Sequence, residues 1–105
     1  MAVDARDAEV GKVYRVTRGA MDGTYYTLHK GCRKKLTQRL QKRRNALNGQ
    51  QMSLLVSLLR KPDWPVFNWH HRGTDPFTGE KFEVTNTQVL PPDLRLREVK
   101  TKPGY

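Results

Sequence analysis

Residues 11–28 read GKVYRVTRGAMDGTYYTL and set the fold class, because they predict a pair of strands. Residues 13–17 are mostly β-branched or aromatic and alternate with period two, as in a half-buried strand. Residues 24–28 have the same character, and the glycines between the two runs mark a turn. The segment therefore predicts a β-hairpin with a loop of a few residues.

A helical period follows the hairpin. Leu36, Leu40 and Leu47 fall within an arc of roughly 40° on a helical wheel. They predict a helix over about residues 33–47 with a narrow buried edge. Residues 50–61 predict a second helix, whose apolar side chains cover an arc of roughly 200°. We expect the second helix to be mostly buried and to supply core.

Strand-like patterns return after the helices. The aromatic residues 65–71, the alternating residues 81–90 and residues 94–99 predict three more strands, the last at an edge. A hairpin, two helices and further strands give an α+β fold, an antiparallel sheet with an inserted pair of helices. The 105 residues fit a single domain. Residues 1–9 and 100–105 are expected to be loose termini.

Composition excludes several classes of protein. No apolar run reaches the roughly 18–20 residues of a membrane span, and the acidic N-terminal residues lack the apolar region of a secretory signal. The single cysteine, Cys32, excludes an internal disulfide and a four-cysteine zinc site. These features predict a cytoplasmic or nucleoid-associated protein with no membrane partner.

The formal net charge of +10 comes from one segment of the chain. No acidic residue lies between Asp22 and Asp63, where ten basic residues occur, and the other ten basic residues balance the ten acidic ones. Such a block is typical of a surface that meets a polyanion, because each cation placed against a phosphate releases condensed counterions. The alternative is a solvated basic face without a dedicated partner.

The charge pattern predicts a non-enzymatic protein that binds RNA, DNA or a nucleoprotein complex through its first helix. The candidate phosphate-binding residues are Lys30, Arg33, Lys34, Lys35, Arg39, Lys42, Arg43 and Arg44. Phosphate contacts predict weak sequence preference and strong salt dependence. Candidate base-stacking residues are Tyr25, Tyr26 and Trp69 on the predicted strands. The alternative is that these rings fill the core of a small domain.

Residues 11–23 resemble the KOW motif, in which a glycine precedes a strand of alternating aliphatics and two glycines follow four residues apart. Gly19 and Gly23 have that spacing, while Asp22 stands where the family often has a basic residue. The resemblance implies a small SH3-like barrel, which this family uses in ribosomal proteins and transcription elongation factors to contact RNA or partner proteins. The helices would then be an insertion between the second and third strands.

Two further functions remain open. A basic protein of this size could be an interaction module, such as a phage-type modulator that docks on an acidic surface of a host polymerase, nuclease or ribosome. Alternatively, a hairpin with Tyr14 and Tyr26 followed by a helix with Arg39 resembles the GIY-YIG endonucleases. That resemblance implies Glu80 or Glu83 as the metal ligand, although Leu28 stands where the motif has glycine.

The histidines and the cysteine suggest one mixed zinc site. His29 and Cys32 are close in sequence, and His70 and His71 lie downstream on a predicted strand. Adjacent strand residues point to opposite faces, so at most three ligands can converge. The alternative is that each histidine stacks or bonds locally. We expect no metal, no cofactor and no catalytic residue.

Overall fold

In the computed structural model, which describes residues 2–105, six antiparallel strands form one sheet in the order β1-β6-β2-β3-β4-β5. The strands are β1 Ala2–Asp4, β2 Val13–Val16, β3 Thr24–Leu28, β4 Val66–Thr74, β5 Lys81–Val89 and β6 Arg95–Val99. Helices α1 Arg33–Lys42 and α2 Gly49–Arg60 follow β3. The α+β class and the inserted helix pair are confirmed. Within the described residues the sheet stays open, with β1 and β5 at its edges.

Both terminal segments contact the sheet. Residues 2–4 form β1, whose Ala2 lies opposite Arg97 of β6, so β6 is an interior strand instead of the predicted edge. The C-terminal tail packs against β4, where the Arg72 guanidinium lies 4.0 Å from the centre of the Tyr105 ring. The three residues of β1 are too few to show a period, and no local pattern reports which strand they pair with.

Two hydrophobic cores lie on opposite faces of the sheet. Val66 and Phe67 are adjacent on β4, so their side chains point to opposite faces. Val66 packs with Leu40, Leu55 and Leu58 of the helices, and we call this side the helix face. Phe67 packs in a second core with the following buried residues: Ala5, Tyr14, Leu90 and Leu96. We call that side the aromatic face, because Trp69 and His71 share it with Phe67.

The two helices differ from the sequence prediction in length and in burial. Helix α1 ends at Lys42, and a 3-10 turn at Arg44–Ala46 reverses the chain before Asn48 caps α2. Helix α2 has its predicted bounds to within one residue, but Val56 and Leu59 are 41% and 55% exposed. The narrow apolar edge of α1 covers only part of α2, so the second helix is not mostly buried.

Candidate nucleic-acid interface

Helix α1 presents an exposed face that contains only cations and neutral polar groups. Its apolar edge, Leu36 and Leu40, packs on α2. About 110° around the helix from this edge, Lys35, Arg39 and Lys42 are exposed and lie within roughly 60° of one another, along about 10 Å of the helix axis. The ion pairs found among residues 2–105 all lie elsewhere in the molecule. The positive charge of this face is therefore uncompensated within the described chain.

The remaining predicted phosphate-binding residues divide into two groups. The exposed ones are Lys34, in the first turn of α1, and Lys30, Arg43 and Arg44, which extend the cationic surface beyond both ends of the helix. Arg33 is different, because its guanidinium donates hydrogen bonds to the carbonyl oxygens of Leu58 at 2.8 Å, of Lys61 at 2.7 Å, and of Trp64.

Arg33 is therefore a structural residue. Its three acceptors lie in and just after the last turn of α2, where carbonyl groups have no partner within the helix. A guanidinium satisfies several of them at once and places positive charge at the negative end of the helix dipole. The contact brings the first turn of α1 against the last turn of α2, so Arg60 and Lys61 join the cations at this end.

Two adjacent clefts follow the unpaired edge of β5. One, of about 410 Å³, lies between α2 and β5, and the other, of about 370 Å³, extends to α1. They share Gln50, Leu54, Asn86 and Thr87, so they form one continuous depression, which we call the edge trough. Consecutive residues 86–89 line it. Because consecutive strand residues point to opposite faces, the trough must follow the strand edge.

The chemistry of the edge trough suits a polyanion. Arg39 and Arg43 line the cleft near α1, and Lys61 lines the other. The remaining polar lining residues carry amides or hydroxyls, and no carboxylate lines either cleft. The polar neutral lining residues are Asn48, Gln50, Gln51, Ser53, Ser57, Thr85, Asn86, Thr87 and Gln88. Cations can hold phosphates while amides and hydroxyls bond to sugars and bases.

Sequence reasoning missed the β5 part of the trough. The segment Thr85 to Gln88 contains only threonine, asparagine and glutamine, which is unusual for a strand beside an apolar core. That polarity indicates a strand whose edge is not covered by another strand. The polar composition of this strand could have been recognised in the sequence, whereas the approach of α2 to its edge could not.

The three candidate stacking residues have different positions. The Tyr25 side chain is 1% exposed, and its ring stacks on His70 with centroids 4.5 Å apart and planes 6° apart. Tyr26 is half-buried and meets Phe67 edge to face, with centroids 6.5 Å apart. For these two rings the core-filling alternative matches the structure. Trp69 is partly exposed on the aromatic face.

Tyr25 belongs to a polar cluster on the helix face. Its hydroxyl donates to Glu83, and His70 Nδ1 lies 3.6 Å from the same carboxylate. Nε2 of His70 lies 2.9 Å from the hydroxyl of Thr27. Burial lowers the pKa of His70 although Glu83 acts in the opposite direction, while the bond from Tyr25 lowers the pKa of Glu83. These mutually satisfied groups join three strands and leave no free nucleophile or base.

The residues of the nuclease interpretation are not brought together. Tyr14 is buried on the aromatic face, where its hydroxyl accepts a hydrogen bond from the Glu9 amide at 2.9 Å. Arg39 lies on α1 and Glu83 lies on the helix face, so the sheet separates both from Tyr14. The GIY-YIG resemblance therefore has no assembled site in this structure.

The zinc interpretation has no supporting geometry either. His70 and His71 point to opposite faces as predicted, since His70 stacks on Tyr25 and His71 stacks on Trp69. Within residues 2–105, no group of three or more histidine, cysteine or acidic side chains is arranged to hold a metal ion. His29 bonds locally, accepting a hydrogen bond from the Gly31 amide at 3.1 Å.

No family model, no curated protein and no solved structure matches this chain. The interpretation of the interface therefore depends on the positions and charges of the residues themselves. As for membranes, none of the helices in residues 2–105 has both the length and the apolar character that a membrane crossing requires.

Proposed function

We propose that this protein is a non-enzymatic nucleic-acid-binding protein that holds phosphates on the exposed face of α1 and in the edge trough. The observation that carries the proposal is the run of exposed cations from Lys30 to Arg44 without a carboxylate partner among the described residues. Such a surface attracts polyanions, and binding a phosphate backbone releases the counterions condensed on it.

The mode of binding follows from the kinds of groups present. Lysine and arginine on a helix face contact phosphates, which fix position and carry no sequence information. The amides and hydroxyls of the edge trough can bond to sugars and base edges, and each offers both donors and acceptors, so they can pair with any base. We therefore expect weak sequence preference and an affinity that falls steeply with salt.

The proposal is tested by a salt titration of affinity for a labelled oligonucleotide. Replacing Lys35, Arg39 and Lys42 with alanine is expected to lower affinity roughly ten- to hundredfold at moderate salt. The slope of log affinity against log salt should become shallower by about 2 to 3, since each lost phosphate contact contributes roughly 0.7 to 0.9.

A matched variant controls for net charge. Replacing Arg18, Arg97 and Lys100 with alanine removes the same charge from exposed positions that make no ion pair among the described residues. This control should bind nearly as well as the parent protein. An equal loss of affinity in both variants would mean that general electrostatic attraction, and not the α1 face, causes the binding. An affinity that does not change with salt would contradict the proposal.

A second candidate is an interaction module that docks on an acidic protein surface. The observation that favours it is the exposed apolar stripe of α2, formed by Met52, Val56 and Leu59, on the same helix pair as the cations. Mixed apolar and basic surfaces are common at protein interfaces. Capture of partners with and without nuclease digestion separates the two functions, because a protein partner survives the digestion.

The assembly in which such a protein acts is a further proposal. The hairpin at residues 11–23 resembles the KOW motif, and an SH3-like barrel would fit an accessory factor of a ribosomal or transcription assembly. Support comes from Gly19 and Gly23, which have φ angles of 68° and 79° that favour glycine. Co-purification with ribosomes or RNA polymerase, followed by a wash in high salt, tests this placement.

A further inference from the structure

The aromatic face carries a row of three rings outside its core. Trp69 and His71 stack with centroids 6.1 Å apart and planes 11° apart, and His71 lies 6.1 Å from Phe82 of β5. We call these three residues the aromatic row. None of them belongs to the core that Phe67 and Tyr14 form on the same face.

The aromatic row is open to solvent along β5. Phe82 is 41% exposed and its neighbour on this face, Val84, is 47% exposed. Trp69 borders a further cleft of about 230 Å³ together with Tyr26 and Met21. Contiguous aromatic surface is seldom left exposed on a protein that has no ligand for it.

Gly73 fixes the orientation of Phe82. The two residues are paired across β4 and β5, and a Cβ atom at position 73 would lie 2.6 Å from Cζ of the Phe82 ring. The ring therefore lies across the strand in the space that a side chain would fill, as aromatic rings often do over a glycine in a sheet. The far end of the ring fills this space while Phe82 stays 41% exposed, so part of the ring surface is open to a stacking base.

The aromatic row and the edge trough meet at one residue. Asn86 lies opposite Trp69 in the register of β4 and β5, and it also lines the cleft that contains Arg39 and Arg43. At the other end of the row, Asp22 and Arg72 border a cleft with His71 and Phe82, so one acidic and one basic side chain offset each other there. The edge trough has cations and no carboxylate in its lining, so the charges favour a backbone on the trough side and bases on the aromatic row.

We infer that the ligand is single-stranded nucleic acid, whose phosphates lie in the edge trough while unpaired bases stack on Trp69 and Phe82. This inference rests on the proposed function and narrows it. Every base has a flat face that an aromatic ring can cover, so such a surface binds single strands with little sequence preference. Because the bases of a duplex are stacked on one another, only phosphate contacts with the cations of α1 could contribute to the affinity for a duplex.

The test compares an oligothymidylate with its duplex at one salt concentration. The single strand should bind at least about tenfold more tightly, because stacking adds to the phosphate contacts. A Trp64→Phe background leaves Trp69 as the sole tryptophan, and its fluorescence should be quenched by the single strand and much less by the duplex.

Variants of exposed phenylalanines identify the stacking surface. Phe82→Ala should weaken single-strand binding at least about fivefold and leave both the salt slope and duplex binding unchanged. Phe82→Leu, which keeps apolar volume and loses the ring, should weaken it nearly as much. Phe77→Ala is the matched control, since Phe77 is 94% exposed on the loop between β4 and β5 and lies outside the aromatic row.

The outcomes separate this inference from the proposed function. The inference would be overturned by equal affinity for single strand and duplex together with unchanged Trp69 fluorescence. The proposed function would still stand in that case if the α1 alanine variant keeps its shallower salt slope. Binding to neither oligonucleotide would overturn both. A Phe77→Ala loss as large as the Phe82→Ala loss would also count against the aromatic row.

Discussion

In the strand framework, Asp4 of β1 lies 2.9 Å from Arg95 of β6, and Glu9 lies 2.7 Å from Lys12 in the turn before β2, whereas on α1 no carboxylate of the described chain pairs with a cation. The two regions contain the same residue types in different arrangements. Outside residues 23–62 the ten basic residues are balanced in number by ten acidic ones, and some of them form ion pairs, whereas the ten cations inside that segment are left for a partner to compensate. The net charge of the protein is therefore a property of one surface and not of the fold.

Helix α1 is destabilised by its own charges. Lys35 and Arg39 are four residues apart on one face and repel each other, and no acidic residue occurs in the first turn to favour the helix dipole. An isolated helix of 10 residues is marginal in water even without such repulsion. Its stability must therefore come from contacts with α2, which are the apolar edge and the hydrogen bonds of Arg33.

The largest expected effect distinguishes two arginines of the same helix. Arg33→Ala should lower the free energy of unfolding by about 2–3 kcal/mol, because three carbonyl groups at the end of α2 lose a charged donor. Arg39→Ala should change it by less than about 0.5 kcal/mol, since that side chain makes no internal hydrogen bond. Chemical denaturation followed by circular dichroism measures both.

In nucleic-acid affinity, the larger loss should belong to Arg39→Ala instead of Arg33→Ala. Arg39→Ala removes a phosphate contact and lowers affinity, while the folded fraction of Arg33→Ala keeps the exposed cations and should bind almost normally. Equal losses of stability in the two variants would mean that Arg33 does not hold α1 to α2. The distinction between a structural Arg33 and a binding Arg39 would then not hold.

An intermediate effect distinguishes two glycines, one in each region. Gly23 has a φ of 79°, and a Cβ there would collide with the carbonyl oxygen of Arg72. Gly23→Ala should therefore lower the free energy of unfolding by about 1–3 kcal/mol. Gly49 begins α2 with no atom within 4 Å of its Cβ position, so Gly49→Ala should leave stability unchanged or raise it by up to about 1 kcal/mol.

Thermal denaturation of the two glycine variants provides the measurement. No loss for Gly23→Ala would show that the hairpin at the start of β3 is not held as tightly as the sheet register indicates. A large loss for Gly49→Ala would show that the start of α2 is packed more closely than the open space at Gly49 indicates. The expected pattern would instead sharpen the contrast between a closely packed framework and an open helix pair.

Much of the fold could be predicted because it is local. The bounds of β3 and α2 follow from periods of two and 3.6 residues, and both agree with the structure to within one residue. The order of the strands could not be predicted in the same way. The pairing of β1 with β6 joins residues at opposite ends of the chain, and three residues are too few to show a period.

The candidate site was predictable in charge but not in contacts. Composition identifies the cationic segment, yet a count of charges does not distinguish Arg33 from Arg39. The helical wheel does contain a clue, because Arg33 lies roughly 20° from the buried Leu40 and therefore at the edge of the packed stripe. No such clue exists for Tyr25, whose burial depends on partners from β4 and β5.

The smallest expected effect is the pH dependence of the free energy of unfolding, which involves the strand framework and not the helix pair. Burial holds the pKa of His70 below its ordinary value of 6.5, so the unfolded chain takes up a proton at a higher pH than the folded chain. Stability contributed by neutral His70 is therefore complete above about pH 6.5 and declines as the pH falls below it. Glu83, whose pKa is lowered mainly by the bond from Tyr25, adds a loss only below about pH 4.5.

Denaturation between about pH 7.5 and about pH 5.5 should show this decline in the parent protein and a flatter profile in His70→Gln. His29→Gln, which changes a histidine outside the cluster, should keep the parent profile. Helix α1 contains no histidine, so nucleic-acid affinity per folded molecule should be constant across this range. A binding profile that follows the stability profile would mean that His70 contributes to the interface, and the two regions would then act as one.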